Sequence, residues 1–332
     1  MAGADSRPWG GSPARASGVV AGTGGEDPAG GRPEGAARGV LPAKFAGRGD
    51  TMTAAWRRIR AVAANTFLEA VRQKVFAVLL VFGLVLLGGA NYFAEFSFQE
   101  QFKFLKDLGY AAISLTGLLV GLLGAAQLIP AEIERRTILT ALCRPLRRWE
   151  FVVGKYLGLV ALLAVMLVLM AAVFWGVLFW KELQLTGIEA GDAAAVEAIR
   201  GEARDPRLWQ AFLLIAAKLF VVSGLAVFFS TVATSTTFVV AMTLMVYLIG
   251  HLQGVAREQW LESGEALGWG LRVFLAAVTL FVPDFNAYSL IDEIVAGNNL
   301  AWRATLEVLA YSVVYVGVLL VAASWVFEGR DL

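Results

Sequence analysis

Hydrophobic and polar positions alternate along this chain in long blocks rather than residue by residue. A helix crossing about 30 Å of hydrocarbon needs about 20 mostly apolar residues. Six blocks read as such spans: Val75–Phe93, Leu108–Ile129, Phe151–Trp180, Leu208–Val232, Phe238–Leu252 and Leu306–Phe327. The third is long enough to tilt or to extend past the bilayer. The fifth is short. A further apolar run, Val273–Val282, is too short to span and ends at Pro283. With Gly268 and Gly270 beside it, the pattern predicts a re-entrant or interfacial segment at about 264–303, between the last two spans.

Ahead of the first span, Trp56, Ile59, Ala63, Phe67 and Ala70 recur at helical spacing, with Arg58, Asn65, Glu69 and Arg72 on the other face. A basic amphipathic helix in this place lies in the membrane interface, so residues 52–74 are expected to form an elbow helix. It either anchors the topology or also braces a partner. Residues 1–51 are rich in Gly, Ala, Pro, Ser and Arg without periodicity. Such a segment buries too little apolar surface to order itself, and it lacks the apolar core of a signal peptide. The stretch from Met52 reads like a natural start, so the leader is expected to be absent from the mature protein. Mass spectrometry of the native N-terminus tests this.

Composition agrees with the blocks. Of 332 residues, 58% are hydrophobic and 17% charged, and mean hydropathy is +0.66. Soluble domains are about 45–50% apolar and about 25% charged. The expected fold class is therefore an all-α integral membrane protein. It has six transmembrane helices, a preceding amphipathic interfacial helix, and a re-entrant or interfacial segment between helices five and six. The membrane domain is expected to cover 75–332. A net charge of +1 argues against a nucleic-acid partner. One cysteine, Cys143, and one histidine, His251, allow no intrachain disulfide and no protein-only zinc site, which needs three or four ligands. No catalytic, cofactor or metal residues are assigned.

Charge sets the orientation. Arg57, Arg58, Arg60, Arg72 and Lys74 precede span one, and Arg135, Arg136, Arg144, Arg147, Arg148 and Lys155 lie between spans two and three. Arg330 follows span six. The other connections are acid-rich, notably 181–207 with Glu182, Glu189, Asp192, Glu197, Glu202 and Asp205. Positive flanks face the cytoplasm, which places both termini and the 130–150 loop there and makes 181–207 an outer loop.

The 130–150 loop is more than a charge marker. Pro130 ends span two, since it lacks an N–H and clashes with the preceding turn. Ile133, Ile138, Leu139 and Leu142 then form a narrow apolar stripe, with Glu132, Glu134, Arg135 and Arg136 on the polar remainder. Pro145 breaks the chain again before Arg147, Arg148 and Trp149. Charge and period alone fit either a plain positive loop or a docking helix.

Spelling adds a resemblance. Glu132-Ile133-Glu134-Arg135-Arg136-Thr137-Ile138-Leu139, Pro145-Leu146-Arg147-Arg148, Glu150-Phe151 and Gly154-Lys155-Tyr156 resemble the permease subunits of ABC transporters of the type-2 export family. The branch that includes copper-enzyme maturation permeases looks nearest. The resemblance covers about 52–332, including Pro283-Asp284-Phe285-Asn286 and the tail around Arg330. Arg136 stands where many members have Gly. The resemblance implies that 130–150 is a coupling helix seated on an ATPase subunit, with Glu132, Glu134, Arg135, Arg136, Thr137 and Leu139 as contacts. It also implies a second permease half, as homodimer or heterodimer, in a bacterial cytoplasmic (inner) membrane. The chain carries no G-x-x-x-x-G-K-[ST]: before Gly154-Lys155, Trp149 occupies the first Gly position and Tyr156 replaces Ser/Thr. ATP and Mg are then expected on a separate ATPase, with no cofactor on this chain and the chain itself not an enzyme.

Polar groups inside spans are costly and mark partners or paths. Lys218 lies about 15 Å into span four at about 1.5 Å per residue. It is expected to snorkel, to pair with a carboxylate such as Glu307, or to line a transport pathway. His251 reads as an interfacial or capping residue, with proton sensing as the sharper alternative. Hydroxyls at Ser230, Thr231 and Thr234–Thr237 suit a tight connection between spans four and five. Gly117 and Gly121 permit close helix packing, within the bundle or at a dimer seam.

Two other functions compete. An intramembrane hydrolase would use paired glutamates such as Glu132 and Glu134, but one histidine is too few to activate water. A channel or passive carrier does not need a helix-forming basic loop. The substrate is not legible; the outer loop at 181–207 is either a dock for an extracytoplasmic partner or a solvated linker.

Overall fold

A computed structural model describes residues 48–96, 101–128, 147–189, 191–233, 235–263 and 282–329. Among them every regular element is helical: α1 Arg48–Arg72, α2 Lys74–Ala94, α3 Gln101–Leu128, α4 Arg148–Ile188, α5 Ala193–Ala203, α6 Leu208–Val232, α7 Thr236–Ser263, a 3-10 turn Phe285–Ser289, α8 Leu290–Val295 and α9 Trp302–Glu328. Six of these, α2, α3, α4, α6, α7 and α9, are long and apolar enough to cross a membrane. The chain is a multi-pass, all-α membrane protein.

α6 is the central helix. Its apolar residues are distributed all round rather than on one face, the pattern of a helix that is itself core. Leu214, Ile215, Val221, Ala226 and Val227 are fully buried. α9, α3 and α4 all pack against it. Gly117 and Gly121 are turned toward α6: a methyl on Gly117 would strike Leu219, and one on Gly121 would lie 2.7 Å from the Ser223 hydroxyl. This small-residue pair therefore serves packing inside the bundle, where close backbone approach strengthens dispersion contacts. α2, α7 and α9 keep most of their apolar surface outside, with Val78, Val85, Met245, Val313, Val321 and Trp325 exposed, as lipid-facing helices do.

The joint between α1 and α2 is a single extended residue, Gln73 (φ −71°, ψ 130°), bridged by Gln73 N donating to Ala70 O at 3.1 Å. α1 differs from the expected interfacial helix in two ways. It begins at Arg48, ahead of Met52. Its inner face, Ile59, Thr66 and Ala70, is buried, whereas Trp56 is exposed. α1 is thus seated against α4 as well as suited to an interface.

α4 is 41 residues long, roughly 60 Å at 1.5 Å per residue. α1 crosses it at Gly154 and Gly158. From Gly158 to Trp180 is about 22 residues or roughly 33 Å, one hydrocarbon thickness. The full helix is therefore longer than one hydrocarbon thickness. The 181–207 stretch is therefore not a bare loop: α4 continues through Ile188, and α5 follows after Asp192, whose Oδ1 accepts from Ala194 N (2.9 Å) and Ala195 N (3.3 Å). These are the orphan amides that a helix start needs capped. Pattern reading missed this helix because its apolar content is modest. Of the re-entrant or interfacial segment expected at about 264–303, residues 264–281 lie outside the described residues, and the rest includes the 3-10 turn and α8.

Candidate functional site

The coupling loop predicted at 130–150 falls largely outside the described residues. Glu132, Glu134, Arg135, Arg136, Thr137 and Leu139 all lie there, so the structure reports on the loop's stem. That stem is unusually well tied. Arg147 is extended (φ −75°, ψ 143°) and starts α4. Its N–H donates to Glu150 Oε2 at 3.3 Å, the acidic half of a capping box. The same carboxylate accepts from Arg58 Nε at 2.8 Å and Arg58 Nη2 at 2.7 Å. Glu150 is 1% exposed, so this is a two-pronged guanidinium–carboxylate pair, the geometry that makes Arg specific as well as attractive. It joins α1 to α4 across 92 residues of sequence.

A second tie runs to the end of the chain. Arg148 Nη1 donates to Phe327 O at 3.0 Å and to Glu328 O at 2.8 Å. These carbonyls belong to the last turn of α9, where helical acceptors have no partner of their own and a cation is favoured. The Phe151 and Phe327 rings stack at 6.0 Å beside it, and Lys155 Nζ stands 5.5 Å from the Phe151 ring.

Below this clip, α1 and α4 touch backbone to backbone. A methyl on Gly158 would lie 2.7 Å from Ala63 O and 2.7 Å from Thr66 Cβ; one on Gly154 would lie 2.7 Å from Val62 Cβ. Gly154-x-x-x-Gly158 is a small-residue motif visible in the sequence, but which helix it faces is not. α1, α4 and the end of α9 thus form one braced unit adjoining the 130–150 loop.

The opposite end is built around the Pro283-Asp284-Phe285-Asn286 motif. Asp284 Oδ1 accepts from Asn286 N at 2.9 Å and turns the chain, and Asp284 N donates to Tyr311 Oη at 3.0 Å. Phe285 is buried against α7, 5.1 Å from the Tyr247 ring. Gly250 and Gly254 make room for it: a methyl on Gly250 would lie 2.5 Å from Pro283 O, and one on Gly254 would strike Asn286. Tyr288 donates to Ser312 Oγ at 2.5 Å, and Ser312 in turn donates to Val308 O. Burial pushes the Tyr288 phenol up to about 12. Nearby, Glu182 accepts from Arg204 Nη2 at 2.8 Å and Nε at 3.2 Å, and Lys181 Nζ lies 4.0 Å from Glu95.

The suggested pairing of Lys218 with Glu307 does not occur. Glu307 accepts from Arg303 Nε one turn away, at 3.0 Å. Lys218 instead stands 5.5 Å from the Tyr247 ring and lines a cavity with Tyr110, His251 and Asp292. His251 is not isolated: its ring lies 5.0 Å from Tyr247 and 6.2 Å from Phe285. Of the hydroxyls between α6 and α7, Thr231 donates to Phe228 O at 2.7 Å, while Thr234 lies outside the described residues.

A search of curated proteins gave no match. Residues 60–332 match the family model described as ABC-2 family transporter protein. The match is to the family as a whole and does not single out a copper-enzyme maturation branch. It spans α2 to α9 and all but the first turns of α1, and it makes the chain a membrane-spanning permease subunit of an ABC transporter. The braced basic end, the six spans and this match lead to one statement: the chain belongs to the ABC-2 family of transporter proteins.

Proposed function

We propose that this permease subunit is one half of an ATP-driven exporter of the cytoplasmic membrane, moved by a separate ATPase that docks on the 130–150 loop. ATP and Mg act on that partner, and a second permease half completes the pathway. Both termini and the braced end face the cytoplasm, in keeping with the arginines gathered there. The observation that carries the reading is the double tie at the loop's stem. A push on the loop reaches α4 directly, α1 through Arg58–Glu150, and α9 through Arg148. Packed helices held this way shift as a unit rather than yielding locally.

The test is the ATPase rate of the partner subunit with and without this chain, in proteoliposomes. Charge reversal at Glu134 or Arg136 is expected to abolish the stimulation while assembly of the six-helix chain persists. Unchanged stimulation in both variants refutes the docking assignment. Reversal of Arg58 to Glu or Glu150 to Arg should weaken stimulation singly, and the double exchange should restore it in part.

A further inference from the structure

Among the described residues, the cavity around Lys218 holds opposite charges that do not close on each other. It has a volume of about 290 Å³ and is walled by α3, α6, α7, the 3-10 turn and α8. Its titratable lining is Asp107, Lys218, His251 and Asp292, with Tyr110 and Phe285 as aromatic walls. Elsewhere in the molecule, ion pairs close to between 2.7 and 4.0 Å. No described carboxylate comes that near to Lys218. Its ammonium is steadied by the Tyr247 ring face at 5.5 Å, a contact that leaves N–H groups free to point at an acceptor.

A lone cation entering this space meets Lys218. A lone anion meets Asp292. Only a ligand carrying both signs, with its anion toward Lys218 and its cation toward Asp292, is attracted along its whole length. Within a membrane protein such attractions are screened far less than in water. The volume lies just below the roughly 300–1,000 Å³ range of drug-sized ligand sites, which suits a smaller, headgroup-sized ligand.

We propose that this cavity binds a zwitterionic group in which an anionic phosphate or carboxylate stands a few atoms from a primary ammonium. Phosphoethanolamine is the simplest phosphate of this kind, reaching the cavity either as a lipid headgroup or as a free solute. Lys218 holds the anion and Asp292 the ammonium.

The experiment uses the full chain purified in a sugar-headed, uncharged detergent, titrated calorimetrically with phosphoethanolamine, inorganic phosphate and ethanolamine. Phosphoethanolamine is expected to bind at least about tenfold more tightly than either half-ligand, a gap of about 1.4 kcal/mol. Asp292→Asn should lower its affinity to that of phosphate. Lys218→Gln should lower it to that of ethanolamine. Each variant still binds its own half, which separates loss of a contact from loss of the fold; Lys218→Arg keeps the charge and should keep the preference if the neutral variant does not fold. Equal affinity for all three probes, or variants that change all three alike, overturns the proposal. Nanodiscs then sort the source. Loss of phosphoethanolamine binding in phosphatidylethanolamine but not phosphatidylglycerol bilayers assigns a lipid headgroup, and binding retained in both assigns a soluble zwitterion. No ATPase or nucleotide is present, so this result stands or falls apart from the coupling proposal.

Discussion

Alanine at Gly158 would place a methyl group 2.7 Å from the Ala63 carbonyl oxygen and 2.7 Å from Thr66 Cβ. Neither neighbour can yield cheaply, because one is backbone and the other is a β-branched side chain next to it. Overpacking of this kind costs about 1–3 kcal/mol. Glycine to alanine in a helix also gains roughly 0.5–1 kcal/mol of backbone entropy, which blurs a single measurement. Gly176 removes that difficulty. It lies in the same helix, and a methyl there meets nothing within 4 Å. The entropy gain is common to both sites, so the Gly158→Ala minus Gly176→Ala difference isolates the α1–α4 contact at about 1–3 kcal/mol. At roughly 2–4 °C per kcal/mol, the two variants should melt about 2–12 °C apart, Gly158→Ala lower. The assay is thermal unfolding of the full chain in detergent, with both variants at one fixed scan rate and refolding checked on cooling, since an irreversible midpoint depends on rate. A side-chain test sharpens it. At Gly154 the nearest atoms are Val62 Cβ at 2.7 Å and Val62 Cγ1 at 2.8 Å. Alanine keeps the Cβ, so Val62→Ala should recover only part of a Gly154→Ala loss, and Thr66→Ala, which leaves both Thr66 Cβ and the Ala63 carbonyl in place, should recover less at Gly158. Equal melting of the 158 and 176 variants refutes the close crossing of α1 over α4.

Other consequences are as direct. Arg148→Ala leaves Phe327 O and Glu328 O without their donor, and amide exchange in the last turn of α9 should quicken by about fivefold or more, for a loss of about 1 kcal/mol; unchanged exchange refutes the tie. Tyr288→Phe removes the donor to Ser312 and should cost about 1 kcal/mol at neutral pH in the same melting assay. The folded phenol is raised from 10.0 to about 12, so its stabilisation is complete below pH 10 and is lost as pH rises through about 12. The wild type should therefore lose more stability than Tyr288→Phe over that window, and parallel alkaline curves would contradict the buried phenol. Asp192→Ala uncaps α5 and should lower its helicity by about 1 kcal/mol, read as faster exchange at Val196–Arg200 with α4 unaffected.

How much was legible differs by element. All six spans and the amphipathic first helix could be read directly, because hydrocarbon offers the backbone no partner and only long apolar helices satisfy it. The basic character of Arg58 and Arg148 was legible too. Their partners were not: Glu150 lies 92 residues from Arg58, and Phe327 lies 179 from Arg148. Likewise Gly154 and Gly158 announce a close approach without naming α1. Lys218 was correctly marked as an embedded charge, yet Glu307, a plausible partner by depth, turns to Arg303 in its own helix.

The sequence by itself determined the six helices that are long and apolar enough to cross a membrane, and which flanks are basic. Those are local quantities, summed along one helix at a time. Only the tertiary structure decided which helices touch: that α6 is the centre, that the first helix locks to the fourth through a buried carboxylate, and that Lys218 and Asp292 share a cavity without meeting. Such pairings depend on the rotation of each helix about its axis, and in lipid that rotation is chosen by close packing and a few polar contacts, which no single segment contains.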